Sequence, residues 1–148
     1  MKAAAALLAL AGPASAQGLD DFMSAFEQRG APYGYTRCAG FYEAVLDRAT
    51  ASDFTAEQRA TIEGFAKAVL RAAVAAEAEV NEAGMSGAAI VVRTEMLRFQ
   101  TAYGERFNEN FMTRGAILGE DAQMVEDNTI CRQLADLASA ATTEEATE

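Results

Sequence analysis

The sequence predicts an all-α fold: an antiparallel helical bundle of four main helices plus a short N-terminal helix, closed by one disulfide. Three observations carry that expectation. Apolar–polar alternation over four or more positions is nearly absent, so nothing reads as a half-buried strand. Helix formers dominate a chain whose only prolines are Pro13 and Pro32. The two cysteines, Cys38 and Cys131, fall in two separate helical patterns.

The first stretch, "MKAAAALLALAGPASA", combines Lys2, a short apolar run and a small-x-small site at Ala14-Ser15-Ala16. That is the pattern of a secretory signal peptide over residues 1–16, with Gln17 as the expected mature N-terminus. The apolar run is broken by Gly12-Pro13 and falls short of the ~20 residues a membrane span requires. No stable membrane insertion is therefore expected once the signal is removed. A helical domain is expected over 17–139, followed by a disordered acidic tail over 140–148, where "ATTEEATE" is polar and repetitive.

Within the domain, "GLDDFMSAFEQRG" predicts a short helix from about Leu19 to Arg29, favoured at its start by Asp20 and Asp21 and closed by Gly30. "APYGY" reads as a turn. A second helix, capped by Thr36 and running to about Ala49, places Cys38, Phe41, Tyr42, Val45 and Leu46 on one face. Thr55 and Gln58 form a capping-box pattern, so the third helix starts near Ala56 and runs to about Ala83. Its inward stripe is Ile62, Phe65, Val69, Ala73, Ala76 and Val80. "NEAGMSG" is a hinge. The fourth helix spans about Gly87 to Arg114, although "GAAIVV" would also suit a strand if any partner existed. Gly115 and Gly119 bracket a second interruption. The last helix runs from about Glu120 to Ser139, with Met124, Cys131, Leu134, Ala135 and Ala138 facing inward.

The cysteine chemistry follows by elimination. The chain has no histidine to complete a zinc set or to activate a cysteine nucleophile. No C-x-x-C or C-x-x-C-H motif is present. In an exported chain the remaining reading is a structural disulfide, Cys38–Cys131. Arg37 and Arg132 flank the cysteines, roughly 100° round each helix, and are expected to face solvent.

Charge narrows the partners. Without Lys2, eleven basic side chains stand against twenty-two acidic ones, a net charge of −11. Such a surface repels nucleic-acid phosphates and anionic lipid head groups, leaving basic proteins, cationic peptides and divalent cations. The acidic groups Glu77, Glu79, Glu82 and Glu120, Asp121, Glu126, Asp127 lie on helical faces read as solvated, without a calcium-loop pattern. No cofactor, metal site or catalytic residue is expected.

One aromatic series stands out. Phe99, Tyr103, Phe107 and Phe111 recur every four residues. Each step drifts ~40° round the helix, so a straight helix cannot bury all four against one neighbour. The series reads either as core packing shared among several elements or, at Phe107 and Phe111, as a groove for a ligand or partner lined by Phe22 and Phe26 of the first helix, with Phe99 and Tyr103 in the core.

The "RCAGFY" run, a second cysteine in the last helix and the acidic exported chain resemble small, uncharacterised exported bacterial helical proteins. That resemblance implies a disulfide-linked helical domain and no particular activity. The general plan also resembles periplasmic acid-stress chaperones. The expected role is a periplasmic or secreted, non-enzymatic binding or structural module for a protein or a small apolar ligand. A periplasmic acid-stress chaperone is the first alternative, and a carboxylate-based hydrolase the second.

Overall fold

A computed structural model describes residues 18–48 and 53–145. The signal peptide expected over 1–16 lies outside these residues. Among these described residues four helices are present: α1 Phe22–Arg48, α2 Ala56–Val80, α3 Gly84–Arg114 and α4 Ala122–Glu145. They form an all-α bundle closed by the Cys38–Cys131 disulfide, whose Cα atoms are 5.2 Å apart.

The short N-terminal helix and the second helix are two arms of α1, joined at a kink instead of a turn. Gly30 alone leaves the helical region, at φ 75° and ψ −167°. A positive φ is cheap only for glycine. Pro32 then sits in the first turn of the second arm, where its missing N–H leaves no bond unmade.

Thr55 and Gln58 close both bonds of the capping box: the Thr55 amide donates to Gln58 Oε1 at 2.9 Å, and the Gln58 amide to Thr55 Oγ1 at 3.1 Å. α2 ends at Val80, three residues early, because Asn81 turns the chain out and its side chain accepts the Ala83 amide at 2.9 Å. α3 consequently starts at Gly84 rather than Gly87, and the "GAAIVV" stretch is helical. Gly115, at φ 74°, ends α3 in a left-handed cap, its amide donating to Phe111 O at 2.9 Å. Asp121 caps α4 through the Met124 amide.

α4 runs past the expected end at Ser139 and is helical to Glu145, correcting the expectation of a disordered tail from 140. Neither glycine nor proline follows Gly119, and alanines at 138, 140 and 141 favour continuation. Residues 146–148 lie outside the described residues.

The second arm of α1 is the centre of the molecule, packed by α2, α3 and α4. Every residue from 36 to 42 is buried. α3 and α4, although consecutive, do not pack backbone to backbone and meet through long side chains, as at Tyr103 and Asp127. Phe41 holds the core together edge-to-face, its ring 5.1 Å from Tyr103, 5.6 Å from Phe107 and 5.5 Å from Tyr42. Gly40 permits the close α1–α3 approach: a Cβ there would lie 2.5 Å from Phe99 Cβ and 2.8 Å from Met96 O. Buried alanines (Ala39, Ala44, Ala66, Ala73, Ala88, Ala135) serve the same close packing elsewhere.

Candidate functional site

The fixed chemistry of the interior is a polar cluster at Arg37. Far from facing solvent, Arg37 is fully buried. The expectation assumed one apolar face on this helix, whereas α1 is enclosed by three neighbours, so a residue 100° from Cys38 also points inward. Its Nε donates to Tyr103 Oη at 2.7 Å, Nη1 to Tyr33 Oη at 2.7 Å and to Asp20 O at 2.8 Å, and Nη2 to Asp127 Oδ2 at 2.6 Å. Tyr103 in turn donates to the same Asp127 oxygen at 2.5 Å. The guanidinium also lies 4.6 Å from the Phe22 ring centre.

Burial pushes Asp127 above its ordinary carboxylate value, against the pull of Arg37 and Tyr103. Burial likewise pushes Tyr103 well up. Arg37 is held above its usual value: burial works against the charge, but Tyr103 and Asp127 outweigh it. Asp127 and Asp121 are both buried, which corrects their assignment to solvated faces. Asp121 Oδ2 accepts Arg106 Nε at 2.6 Å and Asn110 Nδ2 at 3.0 Å. Burial raises its pKa, but these bonds and the Met124 amide outweigh burial and lower it overall. Each carboxylate is thus engaged by an arginine, Asp127 by Arg37 in the interior and Asp121 by the part-exposed Arg106 at its edge, an arrangement that fixes helices.

The four aromatics expected to line a groove are dispersed. Phe107 is fully buried against Phe41 and Tyr103. Phe22 is buried, packing on Phe26 and Tyr33. Phe111 is 55% exposed, beside the exposed Met112. Phe99 and Tyr103 are core, as the spacing suggested. Phe107 thus packs inward on Phe41, whereas Phe111 lies in the last turn of α3, just ahead of the left-handed cap at Gly115.

A different place carries surface features. At the junction of the α1 kink, the end of α2 and the start of α3, a cleft of about 290 Å³ is lined by Pro32, Tyr33, Glu77, Val80, Val91, Val92, Glu95 and Phe99, with Arg29 at its edge. Arg29 lies 4.4 Å over the Tyr33 ring and 3.7 Å from Glu95 Oε2. Arg98 pairs with the other Glu95 oxygen at 3.2 Å. Of the lining residues Val80 and Val91 are exposed, and so are Met85 and Ile90 outside the cleft, with Val80, Met85 and Ile90 exposed by 60% or more. Glu79 and Glu82 are also exposed, and Glu77 is half-buried.

Sequence reasoning placed Val80 on the inner stripe and missed this face. The available signal was compositional: between Arg71 and Arg93 the chain holds three glutamates, several large apolar residues and no basic side chain. Among the described residues no three acidic or cysteine side chains converge as a metal set. No helix among them is long and apolar enough to cross a membrane. No family model, curated protein or solved structure matches the chain.

Proposed function

We propose that this chain is an exported, non-enzymatic binding module whose working face is the α2–α3 end. The observation that carries the reading is the open cleft at that end, whose lining includes the exposed apolar side chains Val80 and Val91. A concave, largely apolar lining on a folded domain marks interaction sites. The interior supports the non-enzymatic part: its strongest polar groups, Arg37, Tyr103 and Asp127, are sealed from solvent and satisfied by one another. The disulfide supports export, because such bonds persist in oxidising compartments.

Quantitative capture from the native extract tests the assignment with three baits: the unsubstituted protein, Val80→Ser/Val91→Ser, and Phe111→Ser/Met112→Ser. The last pair alters the exposed apolar residues at the other end of α3. A species lost with the first variant and retained with the second supports the α2–α3 face. The reverse pattern would transfer function to the Phe111 end and overturn the proposal.

A further inference from the structure

The cleft at the α1 kink presents charges of both signs, Arg29 with Glu77 and Glu95, around an apolar floor that includes Tyr33, Val92 and Phe99. Arg29 is held there without being satisfied. Its guanidinium carbon lies 4.4 Å from the Tyr33 ring centre, and its Nη2 stands 3.7 Å from Glu95 Oε2, beyond hydrogen-bond reach. The guanidinium donates no hydrogen bond to any other described residue. Glu95 Oε2 is in turn buried and accepts none, while Oε1 is taken by Arg98 at 3.2 Å. Glu77 accepts only a long contact from the Asn81 side-chain amide, at 3.5 Å, and has no cation beside it among the described residues. Donors and acceptors left unmatched in one cleft specify what would match them.

We infer, building on the proposed binding cleft, that its ligand is a small zwitterion, a free α-amino acid with a large apolar side chain. An anion alone would meet Arg29 but also the two carboxylates, and a cation alone would meet the carboxylates but also Arg29. With Arg98 on Glu95, two cations balance two carboxylates, so a ligand of no net charge is favoured. The 3.7 Å between the guanidinium and Glu95 Oε2 sets the anion and cation positions side by side, as an ammonium and a carboxylate on one carbon require. The ligand carboxylate accepts from the Arg29 fork, and its ammonium donates to Glu95 Oε2, with Glu77 as a second carboxylate. Because Oε2 is buried, Arg29 swings outward with the ligand carboxylate to admit the ammonium; its side chain is half-exposed and no hydrogen bond restrains it. The volume, about 290 Å³, lies at the small end of ligand sites and suits one side chain against Tyr33, Val92 and Phe99. A peptide would separate its terminal charges by ~3.3–3.6 Å for each added residue and lose the match.

The test titrates the oxidised protein with phenylalanine and with leucine, followed by calorimetry and by backbone amide shifts. Saturable binding is expected, with a Kd of about 1 mM or tighter. N-acetylphenylalanine lacks the cation, phenylalanine amide lacks the anion and glycine lacks the side chain, and each is expected to bind about tenfold more weakly or worse. The dipeptides phenylalanylglycine and glycylphenylalanine are expected to bind more weakly as well. Arg29→Gln and Glu95→Gln should each weaken phenylalanine binding by about tenfold or more. Arg114→Gln, at an exposed position at the other end of α3, should weaken it by less than about twofold. The shifts in the unsubstituted protein need no variant to fold, and should centre on residues 29–36 and 91–99.

Equal binding of the acetylated or the amidated compound would show that one charge suffices and would overturn the inference. Tighter binding of either dipeptide would assign the cleft to chain ends and overturn it too. An equal loss in Arg114→Gln and Arg29→Gln, or shifts gathered away from the cleft, would remove both the ligand and its site. If neither amino acid shows saturable binding up to about 10 mM while capture still depends on Val80 and Val91, the zwitterion falls and the binding face stands.

Discussion

Replacing Arg37 by methionine removes the charge at the centre of the bundle while keeping most of the side-chain stem. The substitution deletes four hydrogen bonds, to Tyr103, Tyr33, Asp20 O and Asp127. It leaves Asp127, 1% exposed, with Tyr103 as its remaining side-chain donor. Stranding one member of a buried ion pair costs about 3–5 kcal/mol, and that is the expected loss. Removing both charges, in Arg37→Met/Asp127→Leu, should cost less than the single change by about 1–2 kcal/mol, because no buried ion is then left alone. The loss should also depend on pH with a definite sign. Without Arg37, burial holds the folded-state pKa of Asp127 still further above its unfolded value of about 4. A raised pKa gives stability that is full below the unfolded value and lost as pH rises through the folded one. The deficit of Arg37→Met relative to the unsubstituted protein should therefore shrink as pH falls toward about 4. Urea unfolding of the oxidised proteins, followed by circular dichroism with a common m-value, measures each quantity. A loss below about 1 kcal/mol, or a double variant as unstable as the sum of its parts, would refute the view that this pair holds α4 to the core.

Three further outcomes are expected. Cys38→Ser/Cys131→Ser should lower stability by about 4–5 kcal/mol on the loop-entropy account, given a sequence separation of 93, and reductant should reproduce the loss in the unsubstituted protein. Phe107→Ala should cost about 3–5 kcal/mol. Phe111→Ala should stay within about 0.5 kcal/mol in thermal or urea unfolding. Because its pKa is lowered on folding, Asp121 stabilises above its ordinary value and loses that contribution as pH falls through the folded pKa. Asp121→Asn should accordingly weaken the fold at neutral pH by about 1–3 kcal/mol and flatten the acid limb of a stability–pH profile.

What sequence alone revealed here depended on whether a signal was local. The Thr55–Gln58 capping box and the end of α3 at Gly115 arise from neighbouring residues and were readable as such. The disulfide was also within reach, because a chain with two cysteines and no histidine leaves few options. Arg37 was not. A periodicity argument gives a helix one buried face, but the second arm of α1 is surrounded, and its charged residue is satisfied by partners 66 and 90 positions away. The different fates of Phe107 and Phe111 were hidden for a related reason. The stripe drifts as expected, but where a drifting side chain ends up depends on which neighbour meets it, Phe41 for Phe107, and on where α3 stops. Val80 shows the opposite error: its spacing fits the inner stripe, yet α2 ends at that residue and leaves it outside.

The placement of the cross-links bears on how binding could be separated from folding. The disulfide, the Arg37–Asp127 pair and the Arg106–Asp121 pair all tie α4 to the second arm of α1 or to the second half of α3. At the α2–α3 end the hydrogen bonds are local, with the Ala83 amide on Asn81 Oδ1, the Asn81 amide on Glu77 O and the Gly84 amide on Asn81 O. Packing there comes from Ala73, Ala88 and Val92, small or slender side chains that hold the two helices close. Val80, Met85 and Ile90 add little to that packing, since most of each side chain already meets water. Polar substitutions at these three positions should consequently leave the unfolding midpoint within the range of ordinary surface changes, about 0.5 kcal/mol each. A bundle stabilised through α1 and α4 can thus keep an open cleft at its α2–α3 end without relying on these exposed side chains to fold.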